Sequence, residues 1–482
     1  SLGWTLASPP VEFMDDRTGI DVGYERAKMA WYTIDPIFYT NQRPSGLSDN
    51  DISLNSTRRV FIDEVFTETD IAQGQTQVQS TLDIVYYPNE KGPYNANPSF
   101  ESETPDAKWG GIMRPLSSTN FEQSNVEFVQ FWVLDPYIDG ETTDANAGEL
   151  VLNLGNISED ILKDGRKQYE NGLSADGSTA NTQTTPWGRV STNQSILYAF
   201  DASDESRTNQ DVGLDGLRNE DELAFYQPNI TGDISKLDAN DFASDNFQYF
   251  RGSDYDAIDA SVLTRYKKYN NTEGNSPTAN QSTEPFPTSS TTYPDVEDIN
   301  KDQTMNPVNS YFEYEISLNK SDLQLGQNNI IDVKSVPITL QNGATRSTNW
   351  YQFRIPVRNG AQAINGITDF NSIRFIRMFL TQFKMPVVLR FGELELVRGD
   401  WRRYTKTLPN TGVPVDLDTD ELNKFEVGVV SIEQNQARYK LPPGIQREQL
   451  QGTNRIQRQN EQSVTLKVTD LTSGETRTIF KN

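Results

Sequence analysis

Six stretches of this chain combine aromatic and β-branched residues with turn chemistry at their ends. They are "STLDIVYYPNE" (80–90), "NVEFVQFWVLDP" (125–136), "NSYFEYEISLN" (309–319), "NWYQFRIPVRNG" (349–360), "NSIRFIRMFLTQF" (371–383) and "MPVVLRFGELELVRG" (385–399). Such runs are strand signals, and their number commits the chain to packed sheets. In "RFGELELVRG" the residues Phe391, Leu394 and Leu396 stand among charges, which predicts a strand with one wet face. Two helices are expected beside the strands. One spans Tyr24–Tyr32, with Ala27, Met29, Ala30 and Trp31. The other lies in "NISEDILKDGRKQYENG", with Ser158 as N-cap, Glu159 and Asp160 in the first turn, and Gly172 as the stop.

Two segments are thin in apolar residues. Residues 172–194 and 270–303 are rich in Ser, Thr, Asn and Gly, and read as long surface loops or an insertion. A faint internal repeat is also present. "NFEQSNVEFVQFWV" (120–133) resembles "DFNSIRFIRMFL" (369–380), and each precedes a second strand, "GELVLNLG" (148–155) and "FGELELVRG" (391–399). Paired strands of a sandwich would produce this match, as would chance between two amphipathic strand pairs.

The chemistry open to the chain is narrow. Its 482 residues include no cysteine and no histidine. Disulfides, thiolate nucleophiles, histidine-based triads and soft-metal sites are thereby excluded, leaving carboxylates, Lys, Tyr, Ser/Thr and hard oxygen-bound cations. The net charge of −25 disfavours nucleic acid and anionic membranes as partners. The charge is uneven: residues 1–310 carry 21 Lys and Arg against 50 Asp and Glu, whereas 311–482 carry 22 against 18. There is no apolar run long enough for a transmembrane helix, and the chain begins at Ser1 within a pattern, as an excised segment of something larger would.

"DVGLDGLRNEDE" (211–222) approaches the calcium-loop spacing. Asp211, Asp215, Asn219 and Glu222 fall at ligand positions 1, 5, 9 and 12, and Gly216 falls where the loop turns sharply. Gly213 at position 3 is the departure, since Asp or Asn is expected there. "DINKDQTMNPVN" (298–309) is a second candidate, with Asp298, Asn300, Asp302 and Thr304 at positions 1, 3, 5 and 7. Calcium would be structural in both, against the alternative of acidic solvated turns. Glu393 and Glu395 share a strand face and could span the roughly 5–10 Å of a glycosidase carboxylate pair, but a charged outer face is the reading adopted. Trp109, Trp132, Trp350 and Trp401 suit either a sugar platform or the core. Arg374, Arg377, Arg390, Arg398, Arg402 and Arg403 are read as strand-face residues forming ion pairs with the acidic half.

Several longer strings go beyond pattern. In order they are "WTLASPP" (4–10), "RAKMAWYTIDPIFYT" (26–40), "YYPNEKGPYN" (86–95), "WGGIMRPLSSTNFEQSNVEFVQFWVLDP" (109–136), "GELVLNLGNISEDILKDGRKQYENGL" (148–173), "QDVGLDGLRNEDE" (210–222), "RYKKYNNTEGNSPT" (265–278), "LPPGIQRE" (441–448) and "NEQSVTLKV" (460–468). Together they resemble the SprA/Sov family, the outer-membrane translocon of the type 9 secretion system of the Bacteroidetes. The resemblance implies a very large β-barrel that moves folded cargo, with a PorV-type shuttle protein, a plug protein and a peptidyl-prolyl isomerase as partners. It implies no enzyme and brings no catalytic residues.

The separated strands and polar insertions do not suit a barrel wall, so a soluble segment between barrel strands is expected, facing the extracellular side or the periplasm. The expected fold is all-β with minor helices. A jelly-roll-like antiparallel β-sandwich over 1–408 would include a polar insertion at about 172–308, and a linker and partial second β-domain would occupy 409–482. The expected function is a structural cap or brace at the pore, or a contact for partners and cargo. The alternative is a calcium-stabilised carbohydrate-binding jelly-roll module.

Overall fold

The apolar runs are short, rich in aromatic and β-branched residues and bounded by turn residues, and they form strands, most of them buried on both faces. The structure is a computed structural model. It describes all residues except 1–2, 15–16, 68, 70–73, 75–76, 141, 194–195, 231, 408–411, 434, 436–438, 453–454, 459 and 482. Before the polar region come β1 (Thr5–Leu6), β2 (Ala27–Tyr32), β3 (Leu82–Lys91), β4 (Trp109–Pro115), β5 (Val126–Leu134) and β6 (Glu149–Asn156). Within it lies a small hairpin, β7 (Thr182–Thr184) and β8 (Arg189–Ser191). After it come β9 (Ser310–Ser317), β10 (Ile330–Thr339), β11 (Thr345–Pro356), β12 (Gln362–Ile364), β13 (Phe375–Thr381) and β14 (Val387–Arg398).

Among the described residues these strands make two antiparallel six-stranded sheets, ordered β1-β4-β13-β6-β9-β12 and β10-β11-β5-β14-β3-β2. The fold is an all-β sandwich with minor helices. Alternate residues of the strands fill the space between the sheets. Ile112, Leu152, Tyr314 and Met378 come from one sheet, and Ile84, Phe131, Phe353 and Leu389 from the other. The intervening residues face outward and are covered in turn. Trp109, Val151, Tyr311 and Phe379 pack with Ala7 and Phe13. Tyr32, Val85 and Tyr87 pack with Phe38, Phe250 and Tyr266. Trp132 and Trp350 pack with Val60 and Val65.

The sequence repeat has a structural counterpart. Its two units lie against each other: β5 pairs with β14 (Phe131 opposite Leu394), and β6 pairs with β13 (Leu152 opposite Met378). At their equivalent starts, the Phe121 amide donates to the Phe370 carbonyl at 2.9 Å.

Neither expected helix forms. Residues 27–32 are strand β2, paired with β3 so that Trp31 stands opposite Ile84. The helix propensity of Ala and Met gives way to burial on two faces. Met29 and Trp31 enter the central core, while Ala30 and Tyr32 enter the outer cluster. Residues 157–172 hold no helix because carboxylates take the amide protons that a helix would bond to its own carbonyls. Glu297 accepts from the Ile161, Leu162 and Gln168 amides at 2.7, 3.0 and 2.8 Å. Asp160 accepts from the Asp164 and Gly165 amides, and Lys163 adopts a left-handed conformation (φ 56°). Ser158 Oγ still accepts from the Asp160 amide at 3.2 Å, a cap with no helix behind it.

The polar region is more than surface loops. Its few large apolar residues, among them Trp187, Leu214, Leu217, Tyr226 and Phe242, are buried and continuous with the sandwich core. Beyond the sandwich, β15 (Trp401–Arg403) pairs with β20 (Ile479–Lys481), β16 (Phe425–Ser431) with β19 (Gln462–Val468), and β17 (Gln449–Gly452) with β18 (Arg455–Arg458). The expected boundary at 408–409 lies outside the described residues.

Candidate functional site

The polar region is short of apolar side chains, and buried carboxylates organise it instead. Glu170 accepts from the Val212 and Gly213 amides at 3.0 and 2.7 Å and from the Asp295 amide at 2.6 Å. Glu159 accepts from the Ile299, Asn300 and Asn306 amides. Each such carboxylate ties loops together that are distant in sequence, and supplies acceptors that the irregular backbone lacks.

The 211–222 loop sits at the centre of this arrangement. Its ligand candidates divide into two groups. Asp211 lies with Glu170 and Asp295; its Oδ2 accepts from the Ser276 amide at 2.8 Å. Asp215 and Glu222 lie instead with Asp245 and Glu273. Asp215 is buried, accepting from the Leu217 amide and from the Tyr226 hydroxyl, both at 2.9 Å. Asn219 begins the helix Asn219–Tyr226 and exchanges side-chain amide bonds with Asn246. Glu222, inside that helix, accepts from the Ala243 amide at 2.8 Å through Oε2.

One oxygen from each of Glu222, Asp245 and Glu273 lies within 4.8 Å of the other two. Glu222 Oε1, Asp245 Oδ1 and Glu273 Oε2 are buried with no hydrogen-bond partner. Among the described residues none of the three is in an ion pair. The neighbouring Lys268 is committed to Asp241 at 2.8 Å, and Lys28 donates to Asn271. Two bare charges 4.8 Å apart repel by about 3–4 kcal/mol at an effective dielectric of about 20. Burial, reinforced by the mutual repulsion of Asp215, Glu222, Asp245 and Glu273, pushes the carboxyls of Asp245 and Glu273 well above the usual range.

Sequence reasoning missed Asp245 and Glu273, which no short motif marks. One signal did point to them. Gly213 breaks the loop pattern at position 3, and a Cβ there would sit 2.3 Å from Asp245 Oδ2. The glycine leaves room for a carboxylate from another part of the chain. Glu273 is held by backbone bridges to both Val212 and Asn246, so three segments converge on the cluster.

In the second loop, Asp298 is paired with Lys167 at 2.8 Å and Asp302 with Arg374 at 2.8 Å. Asp298 and Asn300 both accept from the Asp302 amide, and Thr304 donates to Asp302 through its amide and hydroxyl. The carboxylates here are already neutralised by side chains. Gln303, in place of the turn glycine, takes the left-handed conformation (φ 71°).

Of the two readings open to the tryptophans, burial favours the core. Trp109, Trp132 and Trp350 are wholly buried, and only Trp401 is half-buried. Glu395 accepts from Gln130 at 2.9 Å across the β5–β14 pair. Of the arginines, Arg374 and Arg390 form ion pairs with the acidic half, to Asp302 and Asp83. Arg377 is buried and forms no ion pair among the described residues; it bonds Asn153 and the Ser8 and Pro9 carbonyls and lies over the Tyr311 ring.

Fold and site together define an all-β sandwich protein whose polar loops are held by buried carboxylates. The family model SprA_N, described as a motility related/secretion protein, matches residues 224–482. The chain belongs to this family. No curated protein matches it. No helix among the described residues is long and apolar enough to cross a membrane.

Proposed function

We propose that this chain is a non-enzymatic structural part of an outer-membrane protein translocon of the type 9 secretion system. In this reading it is a water-exposed segment of a very large barrel protein, and caps or braces the pore mouth. The observation that carries the reading is the family match, which spans the second half of the sandwich, β9 to β14, together with much of the polar region. We read the strand order as a jelly roll, because successive strands cross repeatedly between the two sheets. The double-sided burial supports a place outside lipid, since the outer faces of both sheets are clothed by the chain's own side chains. Its partners would be the rest of the barrel, a PorV-type shuttle, a plug protein, a peptidyl-prolyl isomerase and secreted cargo.

The test is fractionation of the source bacterium, probed with an antibody raised against this segment. The expected result is one outer-membrane band several-fold heavier than 54.4 kDa. A band near that mass in the soluble or secreted fraction would overturn the reading.

A further inference from the structure

The cluster of Glu222, Asp245 and Glu273 differs from Glu159, Glu170 and Glu297. Glu159, Glu170 and Glu297 have both oxygens occupied by backbone amides. In the cluster each residue uses one oxygen and leaves the other buried and unpartnered, and one oxygen from each lies within 4.8 Å of the other two. Glu222 and Asp245 are wholly buried, so water does not screen them.

We propose that Glu222, Asp245 and Glu273 bind one divalent cation of the calcium class, with Asp215 as a neutralising neighbour. The donors are all hard oxygens, which suit calcium and not a soft metal. Oxygens on opposite sides of a calcium ion, at bond lengths of about 2.4 Å, stand about 4.8 Å apart, and the cluster fits within that span. The ion fastens three segments: the helix Asn219–Tyr226, the 241–246 turn that meets Glu222 at Ala243, and the 272–274 bridge. Gly213 is part of the site because its missing side chain admits Asp245. This assignment does not depend on the secretion reading.

The test uses the whole 482-residue chain, stripped with a chelator and titrated with calcium alone by calorimetry and thermal melting. We expect binding heat and, at about a hundred-fold excess over Kd, a rise in Tm of about 3 °C. Tyr226 and Tyr94 border the cluster, so bound terbium should luminesce on aromatic excitation and be displaced by calcium. Asp245→Asn and Glu273→Gln should each weaken binding at least tenfold. Asp211→Asn and Asp298→Asn, outside the cluster, should leave it unchanged. If the first pair fails to fold, Gly213→Ala, which displaces Asp245, takes their place. Superimposable melts with calcium and chelator, together with no binding heat, would overturn the assignment. So would calcium binding that survives Asp245→Asn.

Discussion

Arg390 on β14 stands directly opposite Asp83 on β3, and the two side chains meet in a two-point ion pair of 3.0 and 3.3 Å. Both are buried, and the remaining guanidinium protons go to the Asn55 and Arg58 carbonyls at 3.0 and 2.7 Å and to the Thr81 hydroxyl at 3.4 Å. The pair therefore joins the second half of the sandwich to the first and pins the 55–58 turn on top.

Removing one partner strands the other charge. Asp83→Asn should lower the unfolding free energy by about 3–5 kcal/mol, as read from denaturant melts. Replacing both residues, Asp83→Leu with Arg390→Met, should recover a large part of that loss. A double variant no better than the single would show that the pair adds net stability.

Glu313 offers a pH signature. Burial, aided by the nearby Glu12 and Glu315 carboxylates, raises its carboxyl to about 7, while Asn153 and Arg377 act in the opposite direction. The folded state thus holds a proton that the unfolded chain releases near 4.5. This group's contribution to stability is full below 4.5, falls as pH rises from there to about 7, and is lost above it. Glu313→Gln should raise Tm at pH 7.5 by a few degrees, roughly 2–4 °C, and flatten that part of the profile. An unchanged profile would remove Glu313 as the source.

Two left-handed glycines separate backbone conformation from crowding. Gly343 (φ 83°) lies in the β10–β11 turn with open space around it, so Gly343→Ala should cost only about 1–2 kcal/mol. Gly216 (φ 66°) would place a Cβ 2.0 Å from the Arg189 carbonyl. Gly216→Ala must therefore also move the β7–β8 hairpin, and should cost clearly more in the same denaturant assay.

The centre of the sandwich is testable at Phe131, whose ring stacks on Phe353 at 5.1 Å and leans on Phe391 at 5.5 Å. Phe131→Ala should destabilise by about 3–5 kcal/mol. A much smaller loss would mean that the two sheets can close over the gap.

How far the sequence could be read depended on the range of the forces involved. The strands were legible because runs such as Val126–Leu134 crowd aromatic and β-branched residues between turn residues, a local signal. Residues 27–32 were not, because Ala and Met favour a helix locally and only the arrival of β3 makes them a strand. The 157–172 segment failed for the same reason in reverse: its helix cap is present at Ser158, but Glu297, far along the chain, takes the amides. The candidate site was half visible. Glu222 and Gly216 follow a short spacing, whereas Asp245 and Glu273 reach the cluster through folds of the backbone that no spacing encodes. The departure at Gly213 was the one local mark of a distant partner.

The order of strands has a temporal side. β13 lies between β4 and β6, and β14 lies between β3 and β5, so the last strands of the sandwich to be synthesised are central in both sheets. A chain growing from its N-terminus carries β3, β4, β5 and β6 with open edges until about residue 398 has emerged. Open edges invite pairing with other chains, and late long-range pairing makes folding slow. Shelter during synthesis is thus a requirement of this architecture, and fragments that stop short of β14 should aggregate instead of yielding half a sandwich.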